Sequence, residues 1–188
     1  MVQTILPTIS LEHFLKLSET KPASELIEGQ ISQKPMPKGK HSALQGDLTS
    51  FINVILKSKR IAWAFPELRC SFGDRSIVPD IAVVTWQNIP IDQDGDIENN
   101  FFLPPDWTIE ILSPDQSATK VMLNIMYCLD HGSQMGWLID PAEQIIIIYQ
   151  PNQSPVAIAS PVQMLLVPDF AKELHLSLGQ IFDWLKVK

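Results

Sequence analysis

The chain has only two cysteines, Cys70 and Cys128, and neither belongs to a CxxC pair. That scarcity excludes a disulfide framework and a zinc knuckle, and it fits a reducing compartment. No stretch reaches the roughly 18 consecutive apolar residues that a membrane span requires. The opening MVQTILPTISLEHF lacks the basic region, apolar core and small-residue cleavage site of an export signal. The expectation is a cytoplasmic protein with no membrane partner. Excess positive charge is lacking as well: the net charge is −7, so a polyanion would have to be held by a local patch or by metal. Internal repeats and low-complexity linkers are also absent, and 188 residues suffice for one well-cored domain. Residues 1–188 are therefore read as one domain.

What is present is a mixed pattern of periods. SLEHFLKLSE carries a helical apolar stripe with Ser10 as N-cap, and SELIEGQISQ reads as strand, turn and strand around Glu28-Gly29. A loop rich in proline and lysine follows. HSALQGDLTSFINVILKS then spaces Leu44, Leu48, Phe51, Ile52 and Ile55 as a helix over 41–57. IAWAFPELRCSF and SIVPDIAVV are strands joined at Gly73-Asp74, and the Asp-, Asn- and Pro-rich 86–105 is a surface excursion. DWTIEILS is a strand, and Ser113-Pro114 predicts a helix start with Ser113 as cap, the helix ending at Gly132. GWLID and QIIIIYQ form a hairpin whose four isoleucines predict burial on both faces. LGQIFDWLK closes the chain as a short helix, and Phe182, Trp184 and Leu185 could either build a homodimer surface or close a core. Helices interleaved with strands in this order argue a mixed α/β fold, a central mixed sheet flanked by α-helices.

Two acids interrupt apolar strands. Asp80 follows a proline inside SIVPDIAVV, and Glu110 is the only carboxylate within TIEIL, sharing a strand face with Thr108 and Leu112. A buried lone carboxylate is costly, so each should be paired, capped or bound to metal. Either acid alone could be a strand-end residue facing solvent. On neighbouring strands the two would converge near a helix start, an arrangement suited to a hard divalent cation such as Mg²⁺. The acid-rich loop IDQDGDIENN is no calcium loop, because its glycine and its twelfth residue, Leu103, are misplaced. A second VPD at 167–169 has no acid-bearing strand after it and reads as a turn.

Asp80 in VPDIAVV, Glu110 in TIEILSP, the ELIEG turn, His41 at a helix start and GWLIDP after Gly132 occur in the order that resembles the Uma-two family. That family belongs to the PD-(D/E)XK phosphodiesterases. The resemblance covers about residues 8 to 185 and rests on the ordered set of motifs. It implies a restriction-endonuclease-like core and a Mg²⁺- or Mn²⁺-dependent endonuclease acting on DNA, with Asp80 and Glu110 as metal ligands and catalytic residues. The alternative is an inactive descendant that serves as a binding or oligomerisation module.

The pattern's lysine, two residues after the second acid, is Leu112 here. In relatives a lysine on the following helix, eight residues before its terminal glycine, takes that part, and here the position is Asn124. Lys120, four residues earlier on the same helix face, is the substitute this reading assigns. Glu25, His41 and Asn124 are assigned as lining the site, Glu67 as able to reach it, and Arg75 as a phosphate contact or a plain surface residue.

Overall fold

The computed structural model describes residues 8–114 and 116–188. In chain order the elements are α1 (Leu11–Phe14), β1 (Ser24–Ile27), β2 (Gln30–Gln33), α2 (Gly39–Ile52), β3 (Ala62–Pro66), β4 (Cys70–Phe72), β5 (Arg75–Ile77), β6 (Ile81–Thr85), β7 (Trp107–Ile111), α3 (Ala118–Asp130), β8 (Met135–Asp140), β9 (Ile145–Tyr149), β10 (Val156–Ile158) and α4 (Leu178–Asp183). A π-helical turn, Asn53–Lys57, extends α2. The strands form a four-stranded sheet ordered β2-β1-β5-β4 and a six-stranded sheet ordered β10-β9-β8-β7-β6-β3. In the larger sheet β7 and β8 are parallel, joined by α3 as the crossover, and the other pairs are antiparallel. The mixed α/β class and the mixed sheet flanked by helices are as the periods predict.

One face of the large sheet, through Ile81, Val83, Ile109, Ile111, Trp137, Ile139, Ile146 and Ile148, packs against Leu44, Leu48 and Ile52 of α2 and Ile181 of α4. Phe182 is buried there, and Trp184 and Leu185 pack on the same core. α3 lies on the opposite face, where Val121 and Ile125 meet Leu138 and Tyr149. Gly136 permits that approach: a Cβ there would stand 2.2 Å from Ile125 Cγ2. The outer edge of β3 is covered by Asn53, whose amide donates to Ala64 O and accepts from Ala64 N–H at 2.9 and 2.8 Å.

Four local expectations are corrected. SIVPDIAVV is two strands, β5 in the small sheet and β6 in the large one, with residues 78–80 between them. α3 begins at Ala118 with Ser117 as its cap, so Ser113 is not the N-cap and Pro114 is not helical. Asp115, part of that expected helix start, lies outside the described residues. The isoleucine strand is fully buried on one face and half-buried on the other, because α3 covers only part of it. IAWAFPELRCSF is two strands: at Pro66-Glu67 the chain leaves the large sheet, with Glu67 at φ 49°, and re-enters in the small one.

Candidate active site

The register of the large sheet creates the site. Ile81 faces Ile109 across the antiparallel β6–β7 pair, so one step outward Asp80 faces Glu110 on the same side of the sheet. Like charges directly opposed are destabilising, and both side chains are almost wholly buried, with 3% and 5% of their surface exposed. Lys34 resolves the conflict. It follows β2 of the small sheet, and its ammonium donates to Asp80 Oδ1 at 2.7 Å, to Val78 O at 2.7 Å and to Glu110 Oε2 at 3.5 Å.

The two acids are not equivalent. Asp80 Oδ2 accepts the Ile111 N–H at 2.7 Å, and His41 Nε2 lies 3.4 Å from Oδ1. Burial pushes the Asp80 carboxyl up, but Lys34 and His41 outweigh it and hold it down at about 2. Among the described residues Glu110 has only the long bond from Lys34, and burial, reinforced by Asp80 and Glu25, pushes it well above the usual carboxylate range. Burial also raises Glu25, although Lys34 and the Val78 N–H, which donates to Glu25 Oε1 at 2.7 Å, oppose it. Burial alone would lower the Lys34 ammonium; Glu110, Asp80 and Glu25 together raise it, so it stays charged.

His41, in the first turn of α2, also joins its Nδ1 to Ser113 Oγ at 3.1 Å. It thereby links the strand end after Glu110 to Asp80. Gln45, one turn further along α2, donates to Asp80 O at 2.8 Å. A cleft of about 500 Å³ adjoins this side, lined in part by Lys38, Lys40, His41, Ser113, Gln116 and Asp140.

The structure thus brings together Asp80, Glu110, Glu25 and His41 from the expected set and leaves out the rest. Lys120 is exposed in the first turn of α3; among the described residues only its backbone is held, by Ser117 Oγ at 3.4 Å, and no contact joins it to the acids. Asn124 is buried, but it accepts a 3.5 Å bond from Arg75 and makes no bond to the carboxylates. Glu67 is exposed and contributes its backbone N–H to Asp80 O at 3.2 Å, its side chain pointing elsewhere because the chain turns there. Arg75 is neither a surface residue nor free for phosphate: it is buried, bonded to Glu28 at 3.0 Å and stacked 4.1 Å over Tyr127. Lys34 was missed because it sits in a loop that sequence periods do not describe. The available signal was a lysine immediately after the strand paired with the Glu25 strand.

A hard divalent cation fits these donors. Glu110 is a buried carboxylate with almost no partner, and both acids offer oxygen only. Among the described residues no group of three or more His, Cys, Asp or Glu is placed to hold a metal, so a cation would rest on the pair and keep several waters, as Mg²⁺ commonly does.

A mixed sheet presenting two converging acids and an ammonium defines a restriction-endonuclease-like protein. The chain belongs to the Uma2 family, described as "Putative restriction endonuclease", whose model matches residues 11–179. It is similar to a crystal structure described as a putative nuclease belonging to DUF820 from Anabaena variabilis ATCC 29413, with 58% identity over 95% of this chain and 99% of that one and a TM-score of 0.94. No curated protein matches the chain. Among the described residues no helix is long and apolar enough to cross a membrane.

Proposed function

We propose that the protein is a metal-dependent endonuclease that hydrolyses phosphodiester bonds in DNA. The observation that carries this reading is the juxtaposition of buried Asp80, immediately before β6, and Glu110 on the neighbouring β7, with an ammonium 2.7 and 3.5 Å from them. Asp80 Oδ1 and the Glu110 carboxylate would hold Mg²⁺ or Mn²⁺, whose chemistry is to lower the pKa of a bound water and to offset charge on the phosphate. The chain's own residues prepare that site. The Ile111 N–H fixes the rotamer of Asp80, and His41 and Ser113 brace it from α2. Glu25 holds the Val78 backbone beside it. The adjoining cleft, lined by Lys40, His41 and Asp140 among others, is where a polyanionic strand would approach the acids. Two unbridged buried thiols, Cys70 and Cys128, support a reducing cytoplasmic setting.

The test is nicking of supercoiled DNA with Mg²⁺ or Mn²⁺. Wild type should cut, and Asp80→Asn and Glu110→Gln should lose at least about 100-fold in rate, the scale of losing transition-state electrostatics. Equal cutting by the variants removes this site from the function.

A second reading, an inactive nuclease-fold binding or oligomerisation module, draws on the same ammonium. Lys34 already bridges both acids, so the triad can persist without metal. Calorimetry with Mn²⁺ separates the two, since the module would show no binding at millimolar metal.

A further inference from the structure

Neither position at which the resemblance would put a lysine carries one, for residue 112 is Leu and residue 124 is Asn. We propose that Lys34, delivered by the small sheet rather than by the acid-bearing strand or the following helix, is the lysine on which this site's chemistry depends. The assignment rests on the nuclease reading above.

Three observations converge on it. First, the Lys34 ammonium has three directions to fill, and it spends two of them on the acid pair and one on Val78 O at 2.7 Å. Its stem is aimed by the hairpin, because the Lys34 N–H donates to Ala23 O at 2.9 Å and continues the β1–β2 register. Second, the helix route is closed. Asn124 is engaged by Arg75, and that guanidinium is committed to Glu28 and to the face of Tyr127. Third, Leu112 packs toward the apolar cluster of Val121, Ile125 and Leu138, so a side chain there serves the contact with α3.

Lys34 acts first as a positioning residue, holding two like charges converged until a cation can bind. During hydrolysis the water oxygen bonds to phosphorus and the P–O bond to the leaving oxygen breaks; the water's proton is lost to solvent and the leaving oxygen takes one up. Lys34 exchanges no electron pair in that sequence. The N–H that a bound cation would release from Glu110 would counter the negative charge that accumulates on the phosphate oxygens.

The decisive experiment compares the full-length wild type with Lys34→Met, Lys34→Arg and Lys120→Met, measuring Mn²⁺ affinity by calorimetry and the kcat and KM of DNA nicking. Lys34→Met removes a cation that competes for the same oxygens, so it should bind Mn²⁺ about tenfold more tightly, the effect of about 1.4 kcal/mol. Its kcat should fall about 100-fold with KM little changed. Lys34→Arg keeps the charge in a different shape and should lose about tenfold in kcat. Lys120→Met should match wild type in both measurements. The assignment is overturned if Lys34→Met binds Mn²⁺ and nicks as wild type does, or if the loss appears in Lys120→Met instead. Should Lys34→Met fail to fold, Lys34→Arg decides, and an unchanged kcat overturns the assignment. A wild type that neither binds Mn²⁺ nor nicks DNA removes the nuclease reading, and Lys34's part in it falls as well. A wild type that does both beside an unaffected Lys34→Met removes Lys34 alone.

Discussion

The Ile111 N–H donates to Asp80 Oδ2 at 2.7 Å, tying the first acid to the backbone immediately after the second. One oxygen of Asp80 is therefore structural, and the other faces Lys34 and His41. The division makes Asp80 the fixed member of the pair and Glu110 the poorly partnered carboxyl within the core.

Asp80→Asn should be more damaging to the fold than Glu110→Gln. An amide at position 80 must turn its NH₂ either toward the Ile111 N–H or toward the Lys34 ammonium, and both are donors. Breaking a buried pair in this way costs about 3–5 kcal/mol. Urea denaturation at pH 7 checks it, and a loss equal to that of Glu110→Gln contradicts it.

Metal-free stability should depend on pH through the buried carboxyls. Glu110 and Glu25 are raised above their unfolded values, so their contribution is favourable below about pH 4.5 and is lost as pH rises through the folded values. Asp80 runs the other way: its contribution is complete above about pH 4 and is lost as pH falls toward about 2. Wild type should therefore lose stability on the alkaline side of this window, at up to about 1.4 kcal/mol per pH unit for each titrating carboxyl. Glu110→Gln should flatten that slope. Denaturation midpoints between pH 5 and 9 measure it, and parallel curves for the two proteins refute it.

His41→Phe should reveal the brace between α2 and the acids. The substitution leaves the buried Ser113 Oγ without its imidazole partner and withdraws one of the groups that hold Asp80 down. A stability loss of about 1–3 kcal/mol follows from an unsatisfied buried hydroxyl. The acid limb of the stability curve should also move to higher pH. Thermal melts at pH 3 to 7 test both parts.

Gly136→Ala tests the seating of α3 without touching the site. The added methyl meets Ile125 Cγ2 on α3 and Thr108 Cγ2 on β7. Overpacking of this kind costs about 1–3 kcal/mol. A variant as stable as wild type would show that α3 can retreat freely.

Much of the fold was legible because periods and caps are local. The strand TIEIL, the alternation around Glu28-Gly29 and the heptad-like run from Leu44 to Ile55 all became the elements they predict. Asp80 and Glu110 were legible as acids out of place in apolar runs; Asp80 proves to sit at the break just before β6, and the β6–β7 register sets it opposite Glu110. The lysine was not legible. Its position depends on how a four-stranded sheet packs beside a six-stranded one, and no periodicity within residues 34–38 encodes that. The false start of α3 at Ser113 has a similar origin. Ser-Pro satisfies the local rule for a helix N-terminus, yet Ser113 is claimed by His41, seventy-two residues away in sequence.

The central claim is that Asp80 and Glu110 together hold a divalent cation. Crystals soaked in Mn²⁺ and measured for its anomalous scattering test it most directly. The expected result is one peak bonded to an oxygen of each carboxylate, with the Lys34 ammonium withdrawn from Glu110. A site without anomalous signal at millimolar Mn²⁺, its Lys34 still bridging both acids, would contradict it.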